Sequence, residues 1–224
     1  MGLLCCQPQL GILLVPALIA GRHWRPLIAA TATALALAAA SAILFGRDTW
    51  IGFFDRLLLQ RQWMESHVAA WSWMPTVFAM MRLLGASPPA AYLVQGVSAI
   101  SAAIAVATLW RGSGPLGIKS AGLAVATFLA TPYAWDYDMM ILIFAGAWLA
   151  DDGLRNGFRP WEKTTVLVLL VLPLISLISA KLLDFQIAPI LMWMSLAVIM
   201  RRGLSRHSVL ATAPLRGHHG ELPV

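Results

Sequence analysis

Apolar positions along this chain gather into seven stretches, 10–20, 27–45, 90–110, 121–130, 139–150, 164–183 and 187–200. Each is a candidate membrane helix. Four of the seven are shorter than the roughly 20 residues a straight span needs. Short segments of this kind predict broken or re-entrant helices, tolerated in a membrane only where the freed backbone lines protein or a wet cavity.

The periodicity changes between residues 46 and 89. Trp50, Phe53, Phe54, Leu57 and Leu58 recur at helical spacing while Asp48, Asp55, Arg56 and Gln62 take the other face, which predicts an amphipathic helix on the membrane surface. A second helix is expected to start at Pro75, bury Val77, Phe78, Met81 and Leu84, and stop at Gly85. A loop of this length with amphipathic content reads equally as a lid over a lipid-linked substrate or as a structural cap.

Composition agrees with a membrane protein: 59% of residues are hydrophobic and 12% charged, with a mean hydropathy of +0.75. The formal charge of +6 does not point to nucleic acid, because no basic stripe is interleaved with aromatics. It orients the chain instead. Arg22, Arg25, Arg111, Lys119, Arg155, Arg159, Lys163, Arg201, Arg202, Arg206 and Arg216 follow alternate segments, so that side is expected to be cytoplasmic, with the amino terminus outside. The expected organisation is a transmembrane domain over 1–202 and a polar cytoplasmic tail over 203–224.

An external amino terminus without a charged leader before it predicts that the chain is an incomplete domain. Cys5 and Cys6, the only cysteines, read as small apolar residues facing lipid, not as a disulfide or metal site. The histidines are scattered, and HExxH, Walker and GxSxG patterns are absent from the sequence. Neither a metal nor a cofactor is expected.

Two polar windows stand out. Pro8 interrupts the first apolar stretch between Gln7 and Gln9 and biases Gln7 away from helix. The two amides read as binders of a phosphate or sugar, or as an ordinary helix start. The second window, Thr131-Pro132-Tyr133-Ala134-Trp135-Asp136-Tyr137-Asp138, holds two of the three tyrosines and two carboxylates between apolar segments. An ionised Asp costs at least about 2.5–3.5 kcal/mol at the bilayer centre, so the window belongs at an interface or a cavity. In an extended segment Asp136 and Asp138 share one face and Tyr133, Trp135 and Tyr137 the other. Carboxylates accept sugar hydroxyls and aromatic faces stack on sugar rings; the plainer reading is an aromatic belt with solvated turn residues.

Gln7-Pro8-Gln9-Leu10-Gly11 leading to Gly21-Arg22-His23-Trp24-Arg25, then Pro75-Thr76-Val77-Phe78 with Leu84-Gly85, then the acidic window, resemble in order and spacing the carboxyl-terminal half of glycosyltransferase family 87. The resemblance extends to about Arg202. It implies an all-α, polytopic helical bundle of the GT-C type that transfers a hexosyl or mannosyl unit from a polyprenyl-phosphate sugar to a glycan or glycolipid acceptor. The place it implies is the extracytoplasmic face of a bacterial cytoplasmic membrane. The family places its catalytic base in an amino-terminal region this chain does not contain, so the base is not assigned and the chain alone is expected to be deficient in transfer. Gln7 stands where the family commonly has Lys, and Asp136 and Asp138 where its mannosyltransferases tend to carry His. The expected substrate contacts are Asp136 and Asp138, with Tyr133 and Tyr137 shaping the pocket and Gln7 and Gln9 near the donor phosphate. A solute or lipid transporter and a non-catalytic membrane subunit are the competing readings; the absence of an internal sequence repeat weakens the first.

Overall fold

A computed structural model describes residues 8–66 and 71–205. Gln7, Cys5, Cys6, His67 and the tail from 206 lie outside the described residues. Every regular element within them is helical: α1 (Pro8–Gly11), α2 (Leu14–Ala20), α3 (Trp24–Phe45), α4 (Arg47–Ser66), α5 (Val77–Leu83), α6 (Pro88–Arg111), α7 (Leu116–Ala130), a 3-10 turn (Asp136–Met140), α8 (Ile141–Asn156), α9 (Glu162–Leu182) and α10 (Ala188–Leu204). The molecule is an all-α membrane bundle, as the apolar stretches predict. Among the described residues α3, α6 and α9 are long and apolar enough to cross a bilayer. The fifteen residues of α7 rise only about 22 Å at 1.5 Å each.

That short helix is the centre of the bundle. It packs against α6, α8 and α10, while α9 closes on α8 and α10, and α2 and α5 lie on α6. Small residues permit the approach. A Cβ added to Gly122 of α7 or Gly203 of α10 would stand 2.4 or 2.3 Å from the Leu109 side chain of α6, so three helices close around one leucine. By contrast, no residue of α3 is buried, and most of its apolar surface is exposed.

Short connections run α6 to α10 up and down, which gives the bundle two chemically different ends. At one, the basic end, Arg202 of α10 lies between Asp152 of α8 and Glu162 of α9, bonded to both carboxylates and to the Asp152 carbonyl at 2.7 Å. All three side chains are nearly inaccessible. The edge-on contact of His23 with Trp110, 5.8 Å between rings, brings the α2–α3 turn to the same end.

At the opposite end three helices are tied by one amide. Gln95 of α6 is buried; its Oε1 accepts from Phe78 N–H at 2.9 Å and its Nε2 donates to Leu129 O at 3.0 Å, a carbonyl that Ser98 Oγ also reaches at 2.8 Å. These partners are the unsatisfied first-turn donor of α5 and last-turn acceptor of α7. Replacing Gln95 by Leu orphans the Phe78 N–H and is expected to destabilise the bundle by about 1–3 kcal/mol. A lowered thermal midpoint in detergent checks this; an unchanged midpoint contradicts it.

Three expectations are corrected. The second loop helix begins at Val77, not Pro75, because the Thr76 side chain caps it by accepting from Ala79 N–H. Leu84 is its C-cap and lies exposed instead of buried; Gly85 ends the turn at φ +82°. The acidic window is not extended through Asp138: residues Asp136–Met140 form a 3-10 turn, so Asp136 and Asp138 do not share a face.

Candidate functional site

Termination of α7 builds the site. Thr131 is extended (φ −92°, ψ 135°), as a residue before proline must be, and Pro132 has no N–H to continue the helix. Thr131 Oγ1 accepts from Tyr133 N–H at 3.1 Å and lies 3.0 Å from Tyr133 O, which folds the chain back over the helix end. Asp138 then closes the 3-10 turn: its Oδ2 accepts from Trp135 N–H at 3.0 Å, and the residue is buried. That carboxylate is occupied with holding the turn.

Asp136 is differently placed. Its backbone N–H donates to Trp73 O at 3.0 Å, and Ser176 of α9 reaches its Oδ1 at 3.3 Å. Ser176 also contacts Gln186 Oε1 at 2.9 Å, and Gln186 donates to Met74 O at 3.2 Å, so this polar group joins the turn to α9, the α9–α10 loop and the segment before α5. The Asp136 Oδ2 is buried and has no hydrogen-bond partner. Burial pushes the carboxyl up to about 6, against the opposing pull of the Ser176 hydroxyl and of Lys181. The Lys181 ammonium itself sits 3.8 Å from the Trp73 ring centre.

The aromatics of the window form a continuous surface with α4. Trp135 stacks nearly parallel to Tyr137, 6.5 Å and 8° apart, meets Tyr133 edge-on at 5.9 Å, and lies 6.2 Å from Trp63. Tyr137 is 67% exposed, so it forms the rim and not the floor.

Between this surface, α1 and α4 lies a cleft of about 670 Å³, lined by Gln9, Leu57, Gln60, Arg61, Tyr92 and Tyr133 among others. Gln60 is hydrogen-bonded to the Tyr133 hydroxyl across it. A second cleft of about 610 Å³ runs along the other flank of α4, past Arg56, Trp63 and Trp135. Arg61 carries the charge of the first cleft. Its Nε donates to Glu65 Oε1 at 2.9 Å, a bond that holds Glu65 below the usual carboxylate range, and its guanidinium lies 5.5 Å over the Tyr92 ring. The two carboxyls are thus pushed in opposite directions. Glu65 is a fixed anion neutralising Arg61, whereas Asp136 is poised to exchange a proton near neutrality.

The structure brings Gln9 and Tyr133 to one cleft and puts Asp136 in the polar group behind the turn, with Tyr137 at the rim and Asp138 in the backbone. Gln60, Arg61, Glu65 and Tyr92 were not singled out from the sequence, nor were Ser176, Lys181 and Gln186. Their signal was present as polar residues recurring within or beside apolar runs. Which of them converge depends on how α4 and α9 pack. Among the described residues there is no group of three or more His, Cys, Asp or Glu able to hold a metal ion.

Comparison with known proteins reaches the first two motif groups and only the start of the third. No curated protein and no solved structure matches the chain. The model of one family does: it matches residues 1–132, from the segment carrying Gln9 through α7 to Pro132, and stops inside the acidic window, short of the extent to Arg202 expected from the motifs. More than half of the sequence is covered, including α1, α4 and the cap at Thr76. The chain belongs to glycosyltransferase family 87.

Proposed function

We propose that this protein moves a hexosyl unit, mannosyl in the first instance, from a polyprenyl-phosphate sugar to a glycan or glycolipid acceptor on the extracytoplasmic face of a bacterial cytoplasmic membrane. The observation that carries the reading is the cleft between α1, α4 and the acidic turn: mostly apolar, with a guanidinium and two amides on its walls, it suits a lipid phosphate better than a free nucleotide sugar. Its place, opposite the end where the basic residues concentrate, supports an extracytoplasmic site through the positive-inside rule.

In this reading Arg61, Gln60 and Gln9 hold the donor phosphate, and Gln7, two residues before Gln9 in the sequence, is assigned to the same role. The acceptor hydroxyl attacks the anomeric carbon, the new C–O bond forms as the carbon–phosphate oxygen bond breaks, and polyprenyl phosphate leaves with the bonding pair. The hydroxyl proton is assigned to Asp136, whose unpartnered Oδ2 is buried behind the turn, so a relaying water has to carry it there from the cleft. This replaces the amino-terminal base that the family resemblance implies and makes this chain transfer-competent by itself. Tyr133 and Tyr137 bound the sugar, and Asp138 acts through the turn it closes.

The test is transfer by the purified protein in liposomes, supplied with polyprenyl-phosphate mannose or with a nucleotide sugar. Transfer is expected from the first alone. Arg61→Gln removes a charge-assisted hydrogen bond of about 1.5–3 kcal/mol and is expected to raise the donor KM by roughly 10- to 100-fold. Transfer from the nucleotide sugar alone, or from neither donor, rejects the proposal.

A further inference from the structure

At the basic end, away from the transfer site, an open groove of about 340 Å³ runs between α9 and α10, lined by Trp161, Thr164, Val168, Leu191, Met194 and Val198 among others. Its walls are almost wholly apolar side chains of a membrane bundle, and its mouth is polar. Arg201 lies one helical turn beyond Val198 and two beyond Met194 on the same face of α10, exposed, with its guanidinium bonded to Pro160 O beside Trp161. Trp161 is 70% exposed and held at φ +72°. That left-handed conformation is uncommon for a bulky residue.

The surroundings account for the strain. The turn that leads into α9 is pinned from inside by Arg159 N–H donating to Glu162 Oε2 at 2.8 Å, and Glu162 is itself bonded to the buried Arg202. With the turn fixed there, the Trp161 backbone has to bend outward, and its indole is delivered to the groove mouth. Strain of this kind persists where the surrounding structure over-determines it, and it clusters at binding sites.

Charge selects the occupant. The carboxylates of this end are already paired: Asp152 and Glu162 with Arg202, Asp151 with Arg155. Among the described residues, Arg159, Lys163 and Arg201 make no salt bridge, so this end of the bundle carries a surplus of positive charge.

We propose that this groove binds an anionic phospholipid, one acyl chain lying along α9 and α10 and the phosphate against Arg201, the Trp161 indole N–H and the Thr164 hydroxyl. The site depends on the bundle lying in a membrane, not on the transfer reaction. It gives the basic end a specific lipid contact besides the diffuse attraction that basic residues have for anionic membrane surfaces.

The experiment titrates delipidated protein in detergent with spin-labelled phosphatidylglycerol or phosphatidylcholine and reads the immobilised fraction. One saturable site is expected, with phosphatidylglycerol bound at least about fivefold more tightly, the step that one surface cation provides. Arg201→Gln brings phosphatidylglycerol down to the phosphatidylcholine level, Arg201→Lys retains part of the preference, and Val198→Trp, which fills the groove, abolishes both. Inorganic phosphate at matching concentration does not displace the lipid. Equal binding of the two lipids, an unchanged preference in a monodisperse Arg201→Gln variant, or displacement by phosphate alone overturns the proposal. So does a change of oligomeric mass in Val198→Trp, which assigns the groove to a second copy of the chain. Sugar transfer is not read in any arm, so failure of the transfer reading leaves this result standing.

Discussion

Arg202→Leu is expected to destabilise the bundle by about 3–5 kcal/mol, the cost of leaving buried carboxylates without their cation. Among the described residues the arginine joins α8, α9 and α10 at the basic end by meeting two acids at once: Nε and Nη1 are bonded to Asp152 and Glu162, Nη1 also donates to Gly157 O at 3.1 Å, and Nη2 to Asp152 O at 2.7 Å. Leucine fills much of the space but leaves two anions facing each other in a low-dielectric interior. A drop in the unfolding midpoint in mild detergent reads the effect. Removing the charges together tests the cause, because the triple variant Arg202→Leu, Asp152→Asn, Glu162→Gln is expected to recover most of the loss. If the single variant unfolds at the wild-type midpoint, or the triple variant is no better than the single one, the ionic explanation of this end is wrong.

Asp136→Asn is expected to lower the transfer rate by roughly 10²- to 10⁴-fold, the usual contribution of a positioned general base, without loosening the fold. The two effects separate because of the direction of the pKa shift. Burial favours the neutral acid and raises the group to about 6, so the ionised form that accepts a proton prevails at neutral pH and is lost as the pH falls through 6. Wild-type activity should therefore rise with pH across that value. For stability the sign is opposite: the penalty for burying the ionised form is present above the folded pKa and disappears below the ordinary carboxylate range. Asparagine removes that penalty, so the thermal midpoint at pH 7.5 should hold or rise while activity falls and its pH limb near 6 disappears. Full activity in the variant would remove Asp136 from the site.

Much of the fold was legible along the chain. Seven apolar runs became helices close to their expected positions because lipid or core burial demands continuous apolar sequence, and Pro132 marked the end of α7 through the amide it lacks. The misplaced details were local competitions that a hydropathy pattern does not record. Thr76 outcompeted Pro75 for the start of α5 because its hydroxyl satisfies a first-turn N–H. Asp138 accepted the Trp135 N–H and so turned an extended segment into a 3-10 turn.

The site was half visible. Gln9, Tyr133, Asp136 and Tyr137 stood out as polar residues in an apolar setting, where each must find water, a partner or a ligand. Arg61 and Gln60 did not, because on a surface helix such residues are ordinary until α4 is laid across Tyr133. Ser176 and Gln186 acquire meaning only when α9 and α10 bring them to Asp136.

Sequence alone determined that this protein is a helical membrane bundle with basic and acidic-aromatic regions kept apart, because transfer free energy and helix-breaking chemistry act residue by residue. Only the tertiary structure decided that Asp136 and Asp138 have different partners, that Arg61 faces a cleft, and that Arg202 holds two acids. Those outcomes depend on which side chains from distant segments reach one another, and desolvation and hydrogen bonding between them have no counterpart in the linear pattern.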